Sequence, residues 1–158
     1  MENNYIFAVL LFIFAGILFY TNHRRHKIAK EHIEEGSEFL EKNAKEEGVI
    51  TTKSGLQYLI LEEGTGENHP TLSNKVKVHY EGKLINGEVF NSSYTRNQPI
   101  DFGVKQVISG WQEGLQLMVV GQKARFYIPY KLAYGLRKVG KIPPGSCLIF
   151  EIKLLEIH

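Results

Sequence analysis

From residue 49 onward the chain alternates apolar and polar positions in short runs. Lys75 to Leu84 does so most cleanly: Val76, Val78 and Tyr80 fall on one face, Lys77, His79 and Glu81 on the other, the period of a half-buried strand. Leu56 to Glu62, Gln122 to Ile128 and Cys147 to Ile157 also read as strands, the last long and almost wholly apolar on one face. Asn86-Gly87 is a strong hairpin signal leading into a strand at Glu88 to Ser92. Only Ser109 to Val120 looks helical here, with Ser109 and Gln112 spaced as a capping box and Gly121 as the stop. Ser93 to Pro99 and Leu136 to Ser146 are loops, of a length that is often functional. An antiparallel sheet with one short helix to cover its apolar face predicts an α+β fold.

The N-terminal pattern is different. Tyr5 to Tyr20, YIFAVLLFIFAGILFY, carries no charge and no proline over about sixteen residues, slightly short of the ~20 a comfortable membrane span needs. Tyrosines at both ends suit the two interfaces. A cleaved signal peptide competes, but MENN lacks Lys and Arg, and LFYTN offers no small-x-small site. The run therefore reads as an uncleaved, single-pass membrane anchor. HRRHK, His23 to Lys27, follows it. By the positive-inside rule this cluster places the rest of the chain on the cytoplasmic side of an inner membrane, with the periplasmic side as the alternative. His23 and His26 read as headgroup contacts rather than a metal site.

Lys27 to Glu47 then reads as a helical stalk stopped by Gly48, with Glu38–Lys42 and Glu41–Lys45 spaced for ion pairs. Its apolar stripe (Ala29, Ile33, Gly36, Leu40, Ala44, with Phe39 beside it) is too thin for a core, and suits a stalk touching the domain or a weak self-association seam. The expected layout is thus a membrane anchor at 1–22, a basic segment and stalk at 23–48, and a globular domain at 49–158.

Charge and composition narrow the chemistry. The chain has 158 residues, a formal net charge of +2 and a single cysteine. No basic stripe points to nucleic acid, and no internal disulfide is possible; Cys147, in an apolar run, reads as a small core residue. Phosphate-binding glycine loops and the HExxH, CxxC and GxSxG motifs are absent, so no metal or cofactor is expected. His79 reads as a solvated residue on the polar face of a strand. What the chain has instead is aromatic residues at positions a small core does not require: Phe90, Phe102 and Tyr134 flank loops, and Trp111 lies near a helix start.

VHYEGKL, GEVFNSS, QVISGWQEGLQLM, LAYG and IPPGSCLIFEIKLLEI, in that order, resemble the FKBP-type peptidyl-prolyl cis-trans isomerases, the rapamycin-binding immunophilins. The upstream EFLEKNAKEEGVITTKSGLQYLILEEGTG is similar to the bacterial macrophage-infectivity-potentiator branch. The resemblance implies a half-barrel of antiparallel strands wrapped around the short helix, and isomerisation of X-Pro bonds in client polypeptides without a cofactor. The alternative it leaves is a non-catalytic proline-peptide-binding or chaperone module. It implies a pocket with Trp111 as floor, lined by Tyr80, Phe90, Phe102, Tyr134 and Phe150, with Val107 and Ile108 as a wall and Gly110 opening access to the indole. Asn91 stands where the family usually has Asp, which implies weakened binding of macrolides such as rapamycin. Asn91-Ser92-Ser93 also matches a glycosylation sequon, but a sugar there would block the pocket. Lys141 sits where relatives are often apolar. The branch's longer dimerisation region is replaced here by the apolar run, so a dimer is not assumed.

Overall fold

The computed structural model describes residues 2–158, with side chains from Leu10 onward. Helix α1 spans Glu2–Asn43, and the strands are β1 Ile50–Thr51, β2 Gln57–Glu62, β3 Lys75–Leu84, β4 Val89–Ser92, β5 Ile100–Gly103, β6 Lys123–Ile128 and β7 Leu148–Ile157. A second α-helix, α2 (Ser109–Leu115), lies between β5 and β6. All pairings are antiparallel, in the order β1-β2-β6-β7-β3-β4, with β5 also on β3. β4 pairs with residues 81–83 of β3 and β5 with residues 75–78, so the two share one edge of the long strand. β5 was not expected from the sequence: IDFG is too short to show a period, and only its register against β3 makes it a strand.

One face of the sheet closes over α2. Val76, Val78 and Tyr80 of β3, Phe126 and Ile128 of β6 and Phe150, Ile152 and Leu154 of β7 pack there with Trp111, Leu115 and Met118. Each large apolar side chain buried in this way contributes about 1.5–3 kcal/mol. The other face is covered in part by the C-terminal half of α1. Phe39 meets Tyr127 at 5.9 Å between ring centroids, Asn43 Nδ2 donates to Gln57 Oε1 at 2.8 Å, and Gln57 Nε2 donates to the Leu40 carbonyl at 2.8 Å. This second layer explains why β7 is buried on both faces at its start.

Several expectations need correction. Anchor and stalk are not separate elements but one helix, which ends at Asn43, ahead of Gly48. Among the described residues no helix is long and apolar enough to cross a membrane; the first residues of the expected anchor, Tyr5 to Val9, lie outside those whose side chains are described. The ion pairs Glu38–Lys42 and Glu41–Lys45 do not form, whereas Lys30 and Glu34 lie 3.7 Å apart. α2 ends at Leu115 rather than Val120: its last turn tightens into i to i−3 bonds, Leu117 N–H to Gly114 and Met118 N–H to Leu115. The capping box is absent. Ile108 is the N-cap, and Gln112 Nε2 instead donates to the Val107 carbonyl at 2.8 Å.

Candidate active site

The aromatic residues converge. A cavity of about 300 Å³ opens between α2 and the sheet, lined by Tyr80, Phe90, Asn91, Phe102, Val107, Ile108, Trp111, Tyr134 and Phe150, together with Ile100 and Gln106. The first nine are the residues singled out from the sequence; Ile100 and Gln106 were missed: neither is aromatic, Ile100 lies outside the quoted motifs, and Gln106 opens one of them without having been singled out. Trp111 forms the floor, ringed by the other aromatics. Its ring meets Tyr80 edge-on at 5.3 Å, Phe150 edge-on at 5.1 Å and Phe102 tilted at 5.4 Å, and Phe90 meets Phe150 edge-on at 5.5 Å. Edge-to-face contacts of this kind lock ring orientation beyond what burial alone provides. The indole N–H is buried without a hydrogen-bond partner in the protein.

Glycines make this packing possible, not always where expected. A Cβ on Gly110 would fall 2.5 Å from Ile128 Cγ2, and one on Gly114 2.5 Å from Phe126 Cε2. Gly110 therefore seats α2 against β6 rather than opening access to the indole. On β3, a Cβ at Gly82 would lie 2.5 Å from Phe150 and 2.6 Å from Phe90, so Gly82 makes room for that ring pair. Its signal in the sequence, a glycine within a strand, admits several readings.

Tyr80 is held by a residue the sequence did not flag. Where β3 passes from its β5 partner to its β4 partner, Ser93 fills the gap. Its hydroxyl accepts from the Tyr80 N–H at 2.8 Å, and its own N–H donates to the Tyr80 carbonyl at 2.8 Å. His79 joins this network rather than standing in solvent: Nδ1 lies 2.9 Å from Ser93 Oγ, and its ring stacks on Tyr94 at 4.7 Å. On the far wall, burial holds the Tyr134 phenol above its usual pKa, with Tyr80 adding to the rise and Arg137 opposing it. The Ile108 N–H has no acceptor among the described residues.

Other candidates lie elsewhere. Lys141 is outside the cavity, 4.0 Å from Glu88. Cys147 is buried beneath α1, against Gly36, and burial pushes its thiol up to about 12; it is inert packing. Asn91 lines the cavity, and its Oδ1 accepts from Arg96 Nη1 at 2.9 Å.

The fold and the cavity define an α+β domain that presents an indole floor and ring walls to a small apolar group. Residues 66–155 match the family described as FKBP-type peptidyl-prolyl cis-trans isomerase, and residues 17–60 match the domain amino terminal to it. The chain belongs to the FKBP-type peptidyl-prolyl cis-trans isomerase family. It is 47% identical over 138 residues to the FKBP-type isomerase FkpA of Aeromonas hydrophila, covering 87% of this chain and 51% of that one. To the FKBP-type 22 kDa isomerase of Escherichia coli K12 it is 52% identical over 124 residues, covering 78% and 60%. The chain thus spans between half and three fifths of these relatives' length. The crystal structure of FkpA from Escherichia coli superposes with a TM-score of 0.91 at 40% identity, over 96% of this chain and 71% of that one. That of AtFKBP13 gives 0.64 at 36% identity, over 70% and 98%.

Proposed function

We propose that this protein accelerates cis–trans rotation of X-Pro bonds in polypeptide clients. The observation that carries the reading is the cavity itself: ring walls around a buried indole, with no carboxylate, imidazole, thiol or ammonium group in its lining. Rotation about an amide breaks resonance and costs ~18–20 kcal/mol, and uncatalysed it takes tens of seconds or longer. It needs no proton transfer. The twisted amide is less dipolar than the planar one, so a dry cavity favours the twisted form over the ground state, which is catalysis by differential stabilisation. The free Ile108 N–H and the neutral Tyr134 hydroxyl are the donors that would orient the chain's carbonyls. Exchange NMR on an X-Pro peptide with the full chain tests this, and faster cis–trans exchange is expected. Binding without acceleration would make the protein a proline-peptide-binding module.

The match of residues 17–60 to the family's amino-terminal domain is compatible with the infectivity-potentiator-like branch as a finer placement. We also propose that the exposed apolar stretch around Leu10 to Tyr20 seats in the inner membrane. Its support is that Phe12, Phe14, Phe19 and their neighbours stand exposed along the helix, next to the His23–Lys27 cluster that favours a cytoplasmic globular domain. A reporter fused at the C-terminus tests the side, and a periplasmic signal would overturn it.

A further inference from the structure

The cavity has an uncharged interior and a basic rim. Arg96 Nη1 donates to Asn91 Oδ1 at 2.9 Å. A guanidinium can only donate, so the amide oxygen of Asn91 must face Arg96, and its –NH₂, with no acceptor among the described residues, is left at the cavity edge. The guanidinium and the amide –NH₂ are therefore neighbouring donor groups at one point of the rim. On the Tyr134 wall, the Arg137 N–H bonds the Tyr134 carbonyl at 3.2 Å, and the Arg137 charge is close enough to bear on the Tyr134 phenol. Among the described residues neither Arg96 nor Arg137 is ion-paired, and both are exposed.

The neighbouring acids face elsewhere. Glu81 alternates with Tyr80 on β3, and Asp101 alternates with Ile100 and Phe102 on β5, so both point away from the cavity face. Asp101 lies 3.6 Å from His158. Lys141 is already matched by Glu88.

We propose that this cavity selects X-Pro segments carrying a carboxylate beside the proline, received by Arg96 and the Asn91 amide and attracted further by Arg137. The inference deepens the isomerase reading and rests on it for its kinetic form. An isolated exposed ion pair is worth little. A carboxylate that takes hydrogen bonds from a guanidinium and an amide at the edge of an apolar cavity is bound more strongly, because charge assistance and reduced screening add.

The test uses the full chain and three peptides that differ only before proline, with Glu, Leu or Lys. Two readouts are taken: kcat/KM by exchange NMR, and binding by the fluorescence of Trp111, the chain's only tryptophan. At low ionic strength Glu-Pro is expected to exceed Lys-Pro about ten-fold in both, the advantage shrinking at about 1 M salt, where the Debye length is ~3 Å. Arg96→Gln should reduce the Glu-to-Lys ratio to about three-fold or less. Equal, salt-independent rates for all three peptides would overturn the selectivity and leave the isomerase reading standing. Charge-ranked binding without catalysis would uphold the selectivity and remove the isomerase reading. An unchanged ratio in Arg96→Gln would overturn the assignment to Arg96.

Discussion

Trp111 is core and pocket floor at once. It is 5% exposed, part of the core cluster, and still faces the cavity. Removing the indole should therefore hurt twice. Trp111→Ala is expected to cost about 3–5 kcal/mol, a large share of the 5–15 kcal/mol typical of a domain. Trp111→Phe keeps most of the packing, so an isomerase loss of ten-fold or more in that variant, with a nearly unchanged urea midpoint, isolates the catalytic part. Asn91 separates charge from shape. Asn91→Asp would place a carboxylate 2.9 Å from Arg96, turning a guanidinium–amide hydrogen bond into an ion pair; a hydroxyl donated to that carboxylate is charge-assisted, ~1.5–3 kcal/mol against ~1 for a neutral bond. A ligand hydroxyl donor would gain the same acceptor. Rapamycin affinity, measured by calorimetry, should rise about ten-fold, since each 1.4 kcal/mol is a factor of ten. Turnover of a neutral peptide, which brings no hydroxyl, should change much less.

Between elements, the contact of α2 with β6 sets the position of the cavity floor. Glycine inside a helix is normally a liability of ~1 kcal/mol against alanine. Here the added methyl of Gly110→Ala would sit 2.5 Å from Ile128, and overpacking costs ~1–3 kcal/mol. The packing penalty is the larger, so Gly110→Ala should lower the melting temperature despite its better helix propensity. The β6–β7 ladder carries a charge cluster that makes stability pH-dependent. Burial works against ionisation of Glu151, but Arg125 and Lys123 outweigh it and hold its carboxyl below the usual value of 4.5. A depressed folded pKa contributes stability above the unfolded value, and that contribution disappears as pH falls through the folded one. Glu151→Gln should therefore flatten the acid side of the stability profile below about pH 4.5 and lower stability at neutral pH by about 1 kcal/mol, as denaturant titrations across that range would show.

At the scale of the molecule, α1 and the cavity lie on opposite faces of the sheet. Phe126 points to the core while its neighbour Tyr127 meets Phe39 of the helix. At Gly36 a Cβ would already be 2.9 Å from Cys147 Cβ, so Gly36→Leu should push the helix away. Loss of ~1–3 kcal/mol is expected, with kcat/KM on a short peptide held within about two-fold. A larger fall in kcat/KM would mean that the helix communicates with the cavity through β6 and β7.

The local pattern along the chain determined a good deal. Alternation placed β3 to within a residue, Asn86-Gly87 placed the hairpin, and the family resemblance named nine residues that one cavity brings together, eight of them inside the linked motifs. Such features are legible because period and turn chemistry act over a few neighbours. Tertiary structure decided what depends on distant partners. β5 exists only through its register on β3, and Ser93 matters only because it fills the gap at Tyr80. His79 left solvent because Ser93 and Tyr94, more than a dozen residues away, receive it. Gly82 and Gly110 are required by rings and branches on other strands, and Asn91 took its orientation from Arg96. A sequence lists these groups one at a time, whereas hydrogen bonds and steric contacts act between whichever of them the closed sheet sets within a few ångströms.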